Sequence, residues 1–215
     1  MNKFFDKLLD WIYKKKCYFC KSSKESVKMC SKCYNALDFL PVEINRVILG
    51  CPVYCAGVYS KNLQKLIRGL KYHKQSDLAY FLAKFMAEYF EKFSDNKTYI
   101  IVPVPIFPKR EKIRKYNHMN LTGEEFARIT GNILNENIIK RVKDTKPQYN
   151  LKRAERLQNL SNAFEVVKEN YNGGTILLVD DICTTGSTFE EMIRELNKNG
   201  ITDIICFAAT TPFNN

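Results

Sequence analysis

The sequence predicts an α/β protein whose central parallel sheet is flanked by helices and preceded by a small cysteine-rich module. Continuous apolar runs occupy residues 98–106, 175–181 and 203–210, and helical patterns lie between them. This alternation is typical of a parallel sheet that helices cover on both faces, because such strands are buried on both sides. Four cysteines within residues 17–33 predict the separate module.

The composition indicates a globular protein with a basic surface. Of the 215 residues 45% are hydrophobic, and the formal net charge is +11 at pH 7. Such a charge attracts polyanions, for example nucleic acid, anionic lipid or phosphorylated metabolites; the alternative is that it only maintains solubility. No uncharged run reaches the ~20 residues that cross a bilayer, so we expect a cytoplasmic protein.

Residues 1–16 are predicted to form an amphipathic helix. Apolar side chains stand at the helical positions Phe4, Phe5, Leu8, Leu9 and Ile12. Charged residues interrupt them, so the segment does not have the pattern of a signal peptide. We expect the helix to dock on the core of the chain or on a partner. Peripheral association with the inner face of the membrane is the alternative.

Two C-x-x-C pairs predict a metal-binding module at residues 17–40. The first pair is Cys17 and Cys20, and the second is Cys30 and Cys33. Two such pairs direct four thiolates to the corners of a tetrahedron, as in closed structural zinc sites. The linker between them is too polar to fold alone, so metal binding would supply the folding energy. An iron–sulfur cluster is the competing group, and disulfides are not expected in a cytosolic chain.

The larger domain is predicted at residues 51–215. Along it we expect strands at 53–59, 98–106, 163–167, 175–181 and 203–210, and helices at 63–70, 76–93, 120–134 and 188–200. Residues 39–46 are expected to be a linker. Ser76 is expected to be a helix N-cap. Cys51, Cys55 and Cys206 are expected to be core residues rather than ligands.

A polar stretch after the apolar run 175–181 predicts a phosphate site. Asp180 and Asp181 end the strand, and residues 184–188 lie between it and a helix. Backbone N–H groups, hydroxyls and the positive end of the helix dipole can surround a phosphate, and Gly186 allows close approach. Carboxylates at this place suit sugar hydroxyls, so the pattern predicts a ribose 5-phosphate site. Ser187 stands where a Walker loop would need lysine.

The stretch from Leu177 to Phe189 resembles the motif that binds phosphoribosyl pyrophosphate (PRPP) in type I phosphoribosyltransferases. Four further landmarks make the sequence similar to the competence protein F family, of the ComFC type. They are the four-cysteine ribbon, the block around Lys71, residues 102–106, and the block from Arg141 to Phe164. The resemblance covers nearly the whole chain after residue 16. It implies a type I phosphoribosyltransferase fold with an N-terminal zinc ribbon.

The resemblance also implies the roles of individual residues. Asp180 and Asp181 would bind two ribose hydroxyls, and Asp181 would be the catalytic residue that stabilises developing positive charge. The phosphate would lie at Cys183, Thr184, Thr185, Gly186, Ser187 and Thr188. The pyrophosphate would face Pro103, Val104, Pro105, Ile106 and Phe107, with Mg²⁺ bridging it to the ribose. A mobile loop that closes over the ligand would contain Arg141, Gln148 and Arg156.

Two positions depart from the family pattern. Lys115 stands where glycine is usual, and His118 stands where glutamine is usual. His118 is either a surface residue or a ligand. We expect the carboxylates of Asp180 and Asp181 to be exposed, so that replacing both would abolish PRPP binding without unfolding the protein.

Two functions follow from the resemblance. The first is a role in natural competence, in which the protein binds PRPP and handles incoming single-stranded DNA together with the DNA-uptake machinery. Between Lys109 and Arg156 there are 13 Lys or Arg against 6 Asp or Glu, a balance that favours phosphate contact. The predicted DNA contacts are Arg110, Lys112, Arg114 and Lys115. The alternative is a nucleobase phosphoribosyltransferase of nucleotide salvage, in which the basic segment serves PRPP alone. The sequence leaves the acceptor and the turnover of PRPP open.

Overall fold

A computed structural model describes residues 15–95, 97–145 and 160–212. The chain divides into two compact units, Met1–Asp38 and Phe39–Asn215. The helix predicted for residues 1–16 lies almost wholly outside the described residues. Within the described residues, none of the helices has the length and apolar character needed to cross a bilayer.

The first unit is organised around its four cysteines. Helix α1 (Ser31–Tyr34) begins directly after Cys30. The backbone of Tyr18 donates a hydrogen bond to the carbonyl of Lys28 at 2.7 Å, which joins the two halves of the module. The carboxylate of Glu25 accepts from both the backbone and the hydroxyl of Ser31, at 2.9 and 2.7 Å. These short-range bonds bring the two C-x-x-C pairs together.

The second unit contains a six-stranded central sheet and a separate two-stranded sheet. In chain order the strands are β1 (Arg46–Ile48), β2 (Cys51–Val58), β3 (Tyr99–Pro103), β4 (Ile133–Leu134), β5 (Ile139–Arg141), β6 (Phe164–Val166), β7 (Thr175–Ile182) and β8 (Ile204–Thr211). The central order is β1-β2-β8-β7-β3-β4, and β5 pairs with β6. All central pairs are parallel except the β1–β2 hairpin. The predicted α/β fold with a mostly parallel sheet is therefore confirmed.

Among the described residues of the second unit, five helices flank the sheet. They are α2 (Lys61–Tyr72), α3 (Leu78–Phe90), α4 (Pro108–Arg114), α5 (His118–Thr130) and α6 (Ser187–Lys198). Two predicted boundaries were wrong. Helix α3 begins after Asp77 rather than after Ser76. Helix α5 ends at Thr130, because Gly131 has a left-handed φ of 70° and the chain then enters β4. The predicted linker at 39–46 runs into β1, which pairs with β2.

Both faces of the sheet are covered by apolar side chains. On one face Phe90, Phe126 and Phe207 form an aromatic cluster, with the rings of Phe90 and Phe126 5.3 Å apart. On the other face α6 packs over a core that includes Cys51, Cys55 and Cys206. The prediction that these three cysteines are core residues is confirmed. Burial on both faces explains why the strands carry near-continuous apolar sequence.

The register of the sheet places the predicted site. Strands β3 and β7 are parallel neighbours, and Pro103 pairs with Val179. The residues that follow these strands therefore lie at the same edge, where ligands bind in open α/β sheets. Helix α5 packs closely here, since a Cβ added to Gly123 would lie 2.7 Å from Cγ of Pro103. Only glycine allows α5 to approach the end of β3 this closely.

Candidate functional site

Asp181 lies at the centre of a buried polar network at the end of β7. Its Oδ2 atom accepts hydrogen bonds from Nζ of Lys71 and from Nε2 of His118, each at 2.6 Å. Asp181 and His118 are each only 3% exposed. The expectation of two exposed carboxylates is therefore wrong for Asp181. Of the two possibilities for His118, the structure excludes the surface residue.

Lys71 and Asp181 each stabilise the ionised form of the other. Burial disfavours ionisation of Asp181, but the ammonium of Lys71 and the hydrogen bond from His118 outweigh it, so the pKa of Asp181 lies below its ordinary value. Burial also disfavours the charged form of Lys71, yet Asp181 raises the pKa of this lysine. The two side chains therefore form an ion pair at neutral pH. The Lys71 side chain keeps 19% of its surface exposed.

His118 connects this ion pair to helix α4. Burial lowers the pKa of His118 despite its contact with Asp181, so its imidazole is neutral at pH 7. Nε2 faces a carboxylate and therefore carries the proton, and Nδ1 then accepts from a guanidinium nitrogen of Arg114 at 3.2 Å. This tautomer is assigned from the two hydrogen-bond partners of the imidazole, the carboxylate of Asp181 and the guanidinium of Arg114. A continuous chain of contacts runs from Arg114 through His118 and Asp181 to Lys71.

Asp180 differs from its neighbour in both exposure and charge. It is partly exposed, and its Oδ1 accepts the backbone N–H of Asp181 at 2.8 Å. Burial, and then the negative charge of Asp181, raise the pKa of Asp180 to about 8. Close carboxylates do not both ionise readily, so the proton is held on Asp180 and the charge on Asp181. Of the two acids, Asp180 is the one that is accessible to a ligand.

The loop between β7 and α6 is held by its own hydroxyls and by β1. The hydroxyls of Thr185 and Ser187 lie 2.7 Å apart. Arg46 on β1 donates to the carbonyl of Thr184 at 2.8 Å. Gly186 has a φ of 80°, and a Cβ there would collide with Ile48 of β1. Glycine suits this position because of its left-handed backbone. The loop leads directly into the N-terminus of α6, which Ser187 and Thr188 begin.

Cys183 lies in the core rather than on this loop. It is buried, its N–H donates to the carbonyl of Thr210 at 2.8 Å, and its own carbonyl accepts the hydroxyl of Thr211 at 2.9 Å. Its thiol belongs to the core beneath α6. These bonds anchor the start of the predicted phosphate loop, residues 184–188, to β8.

The predicted pyrophosphate loop follows β3 at the same edge. The N–H of Val104 donates to the carbonyl of Val179 at 2.9 Å, which extends the strand pairing by one residue. Pro103, Pro105 and Pro108 have no N–H group. The backbone donors left to this loop therefore come from Ile106 and Phe107, both partly buried.

The four predicted DNA contacts separate into two pairs. Arg110 and Arg114, one helical turn apart on α4, turn toward the site: Arg110 donates to the carbonyl of Thr145, and Arg114 contacts His118. Lys112 and Lys115 are exposed. Lys115 has a φ of 71°, so it adopts the left-handed conformation that glycine would supply at this position.

The predicted mobile loop is described only in part. Gln148 and Arg156 lie outside the described residues. Arg141 ends β5, donates to the hydroxyl of Thr145 and packs over the ring of Phe164, 5.3 Å from its centroid. Burial and the nearby Arg110 lower the pKa of Arg141 to about 10. Its charge is retained at neutral pH.

The four cysteines of the first unit form a set that fits zinc. The Sγ atoms of Cys17, Cys20, Cys30 and Cys33 all lie within 4.8 Å of one another. Those of Cys20 and Cys30 are 3.6 Å apart. A tetrahedral ion with bonds of about 2.3 Å to sulfur would separate its ligands by about 3.8 Å, and four thiolates are a typical structural zinc set. The predicted four-cysteine cluster is confirmed as a potential metal site.

Two contributors to the site were not recognised from sequence. Arg46 lies in the segment predicted to be a linker, and Lys71 enters the prediction only as part of a family block. Neither is near Asp180 or the phosphate loop in the chain, and no spacing rule connects them. The helical pattern of residues 63–70, with Lys71 directly after it, was the only local signal.

Comparisons with known proteins agree with this description. Residues 131–211 match the phosphoribosyl transferase domain family. Competence protein F of Haemophilus influenzae is 30% identical over 200 residues, covering 87% of this chain and 86% of that protein. DNA utilization protein YhgH of Salmonella typhi is 27% identical, covering 86% and 85%. Competence protein ComFC of Bacillus subtilis is 24% identical, covering 86% and 79%.

A solved structure of the allosteric regulatory enzyme of purine biosynthesis is 15% identical, with a TM-score of 0.43 over 66% of this chain and 29% of that one. The family that the sequence motifs indicated is confirmed by the similarity to competence protein F, which covers 87% of this chain. The four-cysteine cluster and the phosphoribosyl transferase domain are both present in the chain. This chain belongs to the competence protein F family.

Proposed function

We propose that this protein binds PRPP with Mg²⁺ and handles single-stranded DNA in natural competence. One observation carries the PRPP part: a partly exposed carboxyl, Asp180, stands at the end of β7 beside a hydroxyl-rich loop that opens helix α6. Together, the carboxyl of Asp180 and this loop can bind a sugar phosphate. The loop offers N–H and O–H donors to the phosphate, and the carboxylate accepts from the sugar hydroxyls.

In this proposal, different residues bind different parts of PRPP. Residues 184–188 hold the ribose 5-phosphate, and Asp180 accepts from the ribose hydroxyls. Mg²⁺, when bound with PRPP, would neutralise the pyrophosphate that faces residues 103–107. Asp181 stays ionised through Lys71 and His118. Its negative charge lies where a positive charge would develop on the ribose.

The DNA part of the proposal is supported by relatives and by charge. The similar proteins are named for competence and for DNA utilization. The net charge of +11 favours binding to a polyanion. On this view the protein acts in the cytoplasm beside the DNA-uptake machinery, with peripheral attachment to the inner membrane as a further element of the proposal.

A second candidate is a nucleobase phosphoribosyltransferase of nucleotide salvage. The match of residues 131–211 to the phosphoribosyl transferase domain favours it. The two candidates differ in a direct assay: a salvage enzyme releases pyrophosphate from PRPP only when a nitrogenous acceptor is added. Release that depends on a nucleobase, combined with no binding of single strands at low salt, would replace the competence proposal.

PRPP is expected to bind more tightly as the pH rises through about 8. The free protein holds a proton on Asp180, whose pKa is raised to about 8, and the ribose hydroxyls need the ionised carboxylate. Below that pKa the proton must leave on binding, so affinity should gain about tenfold between pH 7 and pH 9. Isothermal titration calorimetry with PRPP and Mg²⁺ measures both the affinity and the released proton.

Asp180→Asn is the matched variant for this titration. It keeps the shape of the side chain and removes its ionisation, so its PRPP affinity should be weaker and nearly independent of pH between 7 and 9. A wild-type affinity that does not change across this range would contradict the assignment of Asp180 to the ribose. So would an Asp180→Asn protein that binds PRPP as wild type does.

Binding of single-stranded DNA is expected to weaken steeply with salt, in part through Lys112 and Lys115. Each phosphate contact contributes about 0.7 to the slope of log affinity against log salt. Replacing both exposed lysines by glutamine should flatten the slope by about one to one and a half. Fluorescence anisotropy of a labelled oligonucleotide measures it. Arg110 and Arg114 are excluded from this test, because Arg110 also donates to the carbonyl of Thr145 and Arg114 contacts His118, which binds Asp181.

Lys168→Gln is the control for charge. Lys168 is exposed in the short turn Lys168–Asn170 that precedes β7, at the opposite end of that strand from the acids. Its replacement should leave the slope unchanged. If wild type fails to bind single strands at low salt, the DNA-handling function is wrong. If the paired lysine variant keeps the wild-type slope, these two lysines are not contacts.

A further inference from the structure

A cavity lies beside the buried network of Lys71, His118 and Asp181, apart from residues 184–188. Its volume is about 380 Å³, within the range of small-molecule sites. Four basic side chains and two tyrosines line most of it: Lys71, Lys74, Arg110, Arg114, Tyr72 and Tyr116. None of residues 180–188 lines it. The cavity is therefore distinct from the surface that the proposed PRPP site uses for the ribose and its phosphate.

The charge of this cavity favours an anion. No acidic side chain lines it. Lys71 is paired with Asp181 and Arg110 lies 4.0 Å from a carboxylate oxygen of Asp144, whereas Arg114 contacts His118 rather than a carboxylate. Lys74 is exposed at the rim. Several cations facing one concave space raise the local potential, and a phosphate there would form charge-assisted hydrogen bonds.

The aromatic walls favour a flat ring as well. Tyr72 is 60% exposed, and the guanidinium of Arg114 lies 5.6 Å from its ring centroid. Tyr116 is held in place, because its hydroxyl donates to the carbonyl of Leu70 at 2.7 Å. Rigid rings beside cations are the features on which nucleic-acid bases stack.

We propose that this cavity holds one nucleotide unit, with its base against Tyr72 and its phosphate among the four basic side chains. The nucleotide is either a residue of single-stranded DNA, in which case the inference rests on the proposed DNA function, or a free nucleotide of the same chemistry. PRPP is a poor occupant of the aromatic wall, since it carries phosphates but no planar ring. A substitution at Tyr72 should therefore affect binding of a nucleotide and not binding of PRPP.

The test uses the full chain and the variant Tyr72→Ala. Because stacking of a base on an aromatic side chain accounts for a large part of single-strand affinity, binding of a labelled oligothymidylate should weaken by about 10- to 100-fold. Tyr72→Phe should bind within a few-fold of wild type, because the ring is kept. The affinity for PRPP with Mg²⁺, measured by calorimetry on the same samples, should not change.

Tyr80→Ala is the matched control, because Tyr80 is also an exposed tyrosine but does not line the cavity. It should bind oligothymidylate as wild type does. A titration with thymidine monophosphate distinguishes the sources of the nucleotide. If it binds wild type and loses affinity in Tyr72→Ala, a free nucleotide suffices; if only the oligonucleotide shows this loss, the occupant is a single strand.

Two results would overturn the inference. One is unchanged binding of both the oligonucleotide and the mononucleotide in Tyr72→Ala. If the salt slope still depends on Lys112 and Lys115, the proposed DNA function survives that result and only the cavity assignment fails. The other is a parallel loss of PRPP affinity in Tyr72→Ala, which would make the cavity part of the PRPP site. Tyr72 is exposed, so thermal unfolding of the variant should match wild type.

Discussion

Removal of zinc is expected to unfold the first unit, Met1–Asp38, while the second unit keeps its fold. Zinc binding to four thiolates contributes roughly 10–16 kcal/mol of apparent folding free energy in small modules. The described part of this unit contains a single four-residue helix. Its buried apolar side chains are Cys17, Met29, Cys30 and Leu37. So small a core cannot offset the conformational entropy of the segment without the metal.

Native mass spectrometry should find one zinc per chain, and Cys30→Ser should lose it. Limited proteolysis should then cut within the first 38 residues of the variant and spare the rest. Cys51→Ala is the control, because Cys51 lies in the core of the second unit and not in the cluster. A zinc-free protein that resists proteolysis as wild type does would disprove a structural role, and iron in place of zinc would identify the competing cluster.

The buried strands were well predicted because their signal is local. An apolar run at 175–181 predicted a strand, and β7 extends from Thr175 to Ile182. Burial on both faces imposes such a run on the sequence itself. Strand β1 has no such signal. It has three residues, is partly exposed, and lies at the edge of the sheet. Its position depends on pairing with β2, which local sequence does not encode.

In the site, too, the residues that are adjacent in the chain were predicted, and the contacts made by distant segments were not. The acids and the hydroxyl-rich loop are adjacent in the chain, so their pattern predicted a phosphate site. What surrounds Asp181 comes from two other helices, since Lys71 lies in the last turn of α2 and His118 begins α5. The family resemblance drew attention to both positions without indicating that they meet. Burial of Asp181 was therefore missed, and with it the different roles of two neighbouring carboxyls.

Asp181→Ala is expected to lower the free energy of unfolding by about 3–5 kcal/mol. Removing one partner of a buried ion pair leaves the other charge without compensation. Here the ammonium of Lys71 would lose its carboxylate, and the Nε2–H of His118 would lose its acceptor. The expectation that both acids are dispensable for folding is thus revised: it applies to Asp180 alone. Urea denaturation at pH 7 measures the loss.

Two further variants test whether loss of the Lys71–Asp181 ion pair is what destabilises Asp181→Ala. Asp180→Ala removes a partly exposed carboxyl whose pKa is raised in the folded chain, so at pH 7 it should not lower the free energy of unfolding. The double variant Lys71→Met with Asp181→Leu removes both charges together. It should be more stable than Asp181→Ala, because no unpaired charge stays buried. Equal stability of the double variant and the single variant would show that Lys71 is not the partner that matters.

The pH dependence of Asp181→Ala provides an independent check. The pKa of Asp181 is lower in the folded chain than in the unfolded one. The stabilisation that Asp181 provides is therefore fully present above its pKa in the unfolded chain, which is about 4. It is lost as the pH falls from there toward the pKa of Asp181 in the folded chain. The stability difference between wild type and Asp181→Ala should shrink as the pH falls below about 4. A difference that persists undiminished in acid would mean that lost packing, rather than the charge, is what the variant removes.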